Sequence, residues 1–173
     1  ERCGRLENHP GSITELPVLT MPAGDITHPV PDLTGYITEG QIVLSKEIHG
    51  RGIHPPIDVL STLSRLMRRG AGPGRTRDDH LAIAAQLLAL LARASRAKEL
   101  SALIGLDALS ITEQRYLAFG ESLEVDFIDQ GRSEARSLEA TLDMAWQTLS
   151  AVPARELTMV TPEQIATRRR VER

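Results

Sequence analysis

A single cysteine, Cys3, is all that 173 residues contain, so an internal disulfide is excluded and a reducing compartment suits the chain. Cys3 stands apart from any metal-ligand cluster and reads as incidental. Aromatic side chains make up only 3% of the residues, which argues against a base-stacking platform and leaves Leu, Ile, Val and Ala to build the core. Charge of one sign is lacking too: the net charge of −3 gives no reason to expect nucleic acid or an anionic membrane surface as partner. No apolar run approaches the roughly 20 residues that span a bilayer. A signal-peptide pattern is also missing, so any membrane association is expected to come through partner proteins. The start at Glu1, without an initiating Met, suggests a chain cut from something longer, and processing would look the same.

Several catalytic motifs are absent as well. A phosphate-binding loop of the form G-x-x-x-x-G-K-[ST] does not occur: Gly74 is followed by Arg75 and Thr76, and Gly70 to Gly74 reads as a flexible joint. The five histidines show no H-x-x-x-H or His/Cys spacing, so no metal site is expected. Asp78-Asp79-His80 could suggest a metal or acid–base site, but two aspartates at a helix N-terminus explain it better. No G-x-S-x-G nucleophile turn is found.

What is present is an ordinary globular composition, 41% hydrophobic and 25% charged, enough for one domain or two small ones. The chain changes character near residue 72. Most prolines precede that point, and residues 76–150 contain none. In the first half, 12–19, 41–44 and 57–60 are strand candidates, and 22–40 is mostly connection with room for one helical turn. Three strands do not close a sheet, so the rest of it is expected upstream.

The second half predicts three helices and a short one at 97–104, packed as a bundle. Thr76 with Asp79 resembles a capping box, Ser110 with Glu113 forms another, and Ser137 caps a third helix. Three apolar stripes follow from the spacing. They are Leu81, Ala84, Leu88, Leu91 and Ser95; then Tyr116, Phe119, Leu123 and Phe127; then Leu138, Leu142, Trp146 and Leu149. The end, with Arg168-Arg169-Arg170, reads as a frayed or partner-bound tail.

The remaining chemical signal is Arg65, Arg68 and Arg69, just after the third strand candidate. One reading is a solvated basic helix face. The other is an arginine at a strand end that reaches a phosphate on a neighbouring subunit, a task suited to a permanently charged planar fork of donors.

Whole segments carry a resemblance. Glu1-Arg-Cys-Gly-Arg5, Gly11-Ser-Ile-Thr14, Pro17-Val-Leu-Thr-Met-Pro22 and the long Thr27-His-Pro-Val-Pro-Asp-Leu-Thr-Gly-Tyr-Ile-Thr-Glu-Gly-Gln-Ile42 resemble the B subunit, the non-catalytic nucleotide-binding subunit of V/A-type rotary ATPases. So do Gly52-Ile-His-Pro-Pro-Ile-Asp58, Leu63-Ser-Arg-Leu-Met67, Arg115-Tyr-Leu117, Phe127-Ile-x-Gln-Gly131 and Ala145-Trp146. The resemblance implies an α/β plus all-α chain: residues 1–72 as the last part of a RecA-like nucleotide-binding domain, then 75–173 as a C-terminal helical bundle domain.

It further implies that B alternates with the catalytic A subunit in an A3B3 ring around a central rotor stalk, beside a peripheral stalk, on the cytoplasmic face of the membrane. The chain alone would bind no cofactor and catalyse nothing. Mg-ATP or ADP would sit at the A–B interface, with Arg65 supplied in trans as an arginine finger and Tyr36 as a second interface residue. The resemblance leaves two alternatives: the C-terminal part of a catalytic rotary-ATPase subunit, or a free-standing helical interaction module. Arg68-Arg69, the Gly131–Ser137 stretch and the last seven residues depart from the family pattern.

Overall fold

The computed structural model describes residues 3–171, with the side chains of 168–171 outside that description. The described residues form two compact units that divide between Thr38 and Glu39.

The first unit has little regular structure. Gly4 and Ile13 form one isolated antiparallel bridge. The strand expected over 12–19 goes no further, because Pro17 has no N–H to donate and Leu16 and Val18 lie in solvent. A 3-10 turn at Pro22–Gly24 leads to α1 (Pro29–Ile37), longer than the single helical turn expected here. Pro29 is tolerated at the first helical position, where an N–H would have no acceptor in the helix. His28 Nδ1 accepts from the Val30 N–H at 3.4 Å. Ahead of it, the Thr27 hydroxyl and N–H both donate to Asp25, which holds that carboxyl below the usual carboxylate range.

In the second unit, β1 (Gly40–Gln41) pairs antiparallel with β2 (Leu63–Ser64), Gly40 opposite Ser64 and Gln41 opposite Leu63. Of the candidates at 41–44 and 57–60, only Gln41 joins this pair, and Leu44 and Ile57 form an isolated bridge; β2 lies beyond both candidates. Residues 58–61 turn because Asp58 Oδ1 accepts from the N–H groups of Leu60 and Ser61, at 3.1 and 3.2 Å. Between the strands lies α2 (Lys46–Gly50), capped by Ser45; after β2 comes α3 (Met67–Gly70).

The bundle follows: α4 (His80–Ile104), α5 (Ile111–Ser122) continuing into a π-helical turn at Leu123–Ile128, α6 (Leu138–Ser150) and α7 (Pro162–Val171). α4 absorbs the short helix expected at 97–104 and ends at Gly105, whose φ of 87° favours glycine. Ser110 and Glu113 form the expected capping box, and Ser137 caps α6 as expected. Thr76 and Asp79 do not form one. The Thr76 hydroxyl accepts from the Gly72 N–H at 2.7 Å and bonds His80 Nδ1 at 3.0 Å, while Asp79 is held by Arg77 and Trp146. α7 opens on a local cap, with Thr161 and Gln164 bonding each other and Pro162 first in the helix. The side chains of the Arg168-Arg169-Arg170 run, and Glu172 and Arg173, lie outside the described residues.

The core joins α4, α5 and α6 around Ile83, Leu90, Phe119, Leu142, Trp146 and Leu149. Leu90 and Leu149 are fully buried, each worth about 2 kcal/mol of hydrophobic stabilisation. The expected face of α6 is buried except Leu138, which is exposed. On α4 the expected stripe is displaced: Ile83, Gln86, Leu90, Ala94 and Ala97 are buried, and Leu88 is 44% exposed. Leu and Ala occur all round this helix, so periodicity does not set its phase. Close approach to α5 does, since a Cβ on Gly120 would lie 2.7 Å from the Ala94 Cβ.

Gly120→Ala is therefore expected to lower stability by about 1–3 kcal/mol through overpacking, despite alanine's gain of roughly 1 kcal/mol in helix propensity. Thermal melts followed by circular dichroism check it. An unchanged or raised melting temperature would mean that the two helices spread without cost.

Candidate functional site

Arg65 is an exposed residue in the turn that links β2 to α3. Its backbone is nonetheless fixed. The Arg65 N–H donates to the Glu39 carbonyl at 2.8 Å, extending the β1–β2 pairing by one rung. Behind it, the Thr62 hydroxyl accepts from the Val43 N–H at 3.1 Å, and the Asp58 N–H donates to the Val43 carbonyl at 2.9 Å. Arg68 and Arg69 lie on α3 and are exposed. The structure thus separates the three arginines: Arg65 belongs to a strand end, the other two to a short helix.

The segment that carries Arg65 is bolted to the bundle. Arg51 makes a two-pronged pair with Glu124 in the π-helical turn, its Nη2 donating at 2.9 Å. The bond to Glu124 holds the Arg51 pKa above its ordinary value against the opposing effect of burial. The His54 N–H donates to Asp129 Oδ1 at 2.8 Å, and the Gln130 N–H donates to the His54 carbonyl at 2.6 Å. Arg136 donates to the Phe127 and Asp129 carbonyls, closing the end of that turn. Arg136 belongs to the 131–137 stretch that departs from the family pattern. No sequence signal points to these links, because Arg51 and Glu124 lie 73 positions apart and neither stands in a local motif.

Tyr36, the other sequence-derived interface residue, lies on α1 in the first unit and is 74% exposed. Arg65 belongs to the second unit. Gly70 to Gly74 is not a loose joint: Thr76 ties back to Gly72 through its hydroxyl and its N–H, and Ala71 is buried. Among the described residues no group of three or more His, Cys, Asp or Glu is placed to hold a metal ion. In Asp78-Asp79-His80, Asp79 serves Arg77 and Trp146, and His80 bonds Thr76. No described helix is long and apolar enough to cross a membrane.

Comparison with known proteins joins these observations. Residues 69–169 match the C-terminal domain of V and A type ATP synthase, and residues 1–64 match the nucleotide-binding domain of the ATP synthase alpha/beta family. The B subunit of the A-type ATP synthase of Aeropyrum pernix is 54% identical over 165 residues, covering 95% of this chain and 36% of the relative. The V-type ATP synthase beta chain of Halothermothrix orenii is 52% identical over 165 residues, with the same 95% and 36% coverage. Among solved structures, the ATP synthase subunit NeqB of Nanoarcheaum equitans superposes with a TM-score of 0.75 at 44% identity, covering 83% of this chain and 35% of that one. The chain therefore spans about a third of the length of the relatives it matches.

Proposed function

Because the chain belongs to the B-subunit family of A- and V-type ATP synthases, we propose that it acts as the non-catalytic partner in an ion-translocating rotary complex. In this reading residues 1–72 end a RecA-like nucleotide-binding domain and residues 75–173 form the helical C-terminal domain. The catalytic A subunit holds Mg-ATP or ADP and alternates with B in an A3B3 ring. A central rotor stalk and a peripheral stalk complete the assembly at the cytoplasmic face of the membrane, and protons or sodium ions are moved.

Arg65 is then the arginine finger, acting in trans on the γ-phosphate of nucleotide held by the catalytic neighbour, and Tyr36 lines the same interface. The observation that carries this reading is an exposed arginine on an anchored backbone, within Leu63-Ser-Arg-Leu-Met67. A permanently charged fork matches phosphate oxygens that gain charge during transfer, and a fixed turn holds it in place.

The reading makes the chain inert by itself, since Mg-ATP needs backbone N–H groups and a lysine around its phosphates and no such loop is present. Steady-state phosphate release from Mg-ATP by the purified chain is expected to stay at background. Turnover that survives further purification and disappears on mutation of a residue in this chain would overturn the assignment.

A further inference from the structure

Gly40 is paired directly with Ser64, and it leaves no room for a side chain. A Cβ there would lie 2.6 Å from the Leu63 carbonyl oxygen and 3.2 Å from the Ser64 Cα. Both are backbone atoms, so neither can rotate away. They belong to β2, two residues and one residue before Arg65 in the turn that follows it. Gly40 is not among the glycines with positive φ. What the position demands is therefore close approach and not an unusual dihedral, and alanine would clash without straining its own backbone. The strand pair spans only two residues on each side, so a displaced β2 has little further pairing to hold it in register. The bond from the Arg65 N–H to the Glu39 carbonyl, 2.8 Å long, adjoins the crowded point.

We infer that Gly40 is a positioning residue for Arg65: by lacking a Cβ it lets β2 close onto the Glu39–Gln41 segment, which sets the origin from which the guanidinium reaches. This rests on the reading of Arg65 as the arginine that acts on a neighbour's nucleotide. A side chain that stabilises a transition state must be held to fractions of an ångström, and a displacement of about 1 Å can cost roughly 10²-fold in rate. Moving β2 off Gly40 shifts the root of Arg65 by a distance of that order. Binding of ground-state nucleotide, made by the neighbour, is left alone.

The test is ATP turnover by the complete subunit in complex with its catalytic partner. Gly40→Ala is expected to lower kcat by about 10- to 100-fold with KM little changed. Added to Arg65→Ala, it is expected to cost nothing more. A second variant loosens the same strand pair without a clash: Thr62→Val removes the acceptor of the Val43 N–H and is expected to lower kcat about 3- to 10-fold, again only while Arg65 is present. Losses that multiply with that of Arg65→Ala would show a general structural role and overturn the inference. Normal kcat in both Gly40→Ala and Thr62→Val, beside a collapse in Arg65→Ala, would overturn it while leaving the Arg65 reading intact. Normal kcat in Arg65→Ala itself would remove both. If Gly40→Ala does not assemble, Thr62→Val with and without Arg65→Ala decides the matter alone.

Discussion

Replacing Arg65 by alanine in the complete subunit, in complex with the neighbour that holds nucleotide, is expected to lower kcat by about 10³-fold or more and to leave KM within a few-fold. The split follows from when the charge matters. Ground-state nucleotide would be held by the neighbour's phosphate loop and magnesium, whereas an arginine supplied from outside acts on charge that develops as the γ-phosphoryl group moves. Arg65→Lys is expected to recover little, because an ammonium keeps the charge but loses the planar fork and its reach. Arg68→Ala/Arg69→Ala is the control, since those residues stand on α3, beyond the β1–β2 pair. Near-normal turnover in Arg65→Ala with assembly intact, or a collapse in the control instead, would move the role elsewhere.

The parts legible in the sequence are those in which a short stretch settles its own geometry. The Ser110–Glu113 box, the Ser137 cap and the buried face of α6 each depend on residues within a turn or two of one another. Arg65 differs from these: the resemblance of Leu63-Ser-Arg-Leu-Met67 singles it out, not a geometry that the stretch settles by itself. The Thr161–Gln164 cap is equally local, yet the run of arginines after it weighs toward a tail. Features hidden from the sequence depend on distant partners. Gly40 falls there only at the end of a connecting stretch, because its reason for being glycine is Leu63, more than twenty positions away. At the strand candidate 57–60 the Asp58 carboxylate competes for the N–H groups a ladder would need. On α4 the buried stripe includes Gln86, which hydrophobic periodicity passes over. Its amide donates to the Glu156 carbonyl and its carbonyl accepts from the Met159 N–H, so α4 holds the segment that leads to α7.

The start of α4 supplies the largest expected loss of stability. Asp79 accepts from Trp146 Nε1 at 2.7 Å and from Arg77 Nε at 2.6 Å, joining α4 to α6. Arg77 also donates to Asp143 at 2.6 Å. Burial works against the Arg77 charge, and its bonds to Asp79 and Asp143 more than offset that, holding its pKa above the ordinary value. Asp79→Ala strips a buried indole N–H of its acceptor and leaves a mostly covered guanidinium to its outer, more exposed carboxylates. The expected cost is about 2–4 kcal/mol, below the full figure for breaking a buried pair because those carboxylates remain. Asp79→Asn keeps an oxygen acceptor but not the charge, and is expected to lose about half as much. Trp146 is the only tryptophan, so fluorescence reads this contact directly. Asp79→Ala is expected to shift its emission to longer wavelength while the protein is still folded, and to lower the melting temperature. If neither the emission nor the melting point changes, the α4–α6 junction is held by the apolar core alone and the Asp79 contacts contribute nothing measurable.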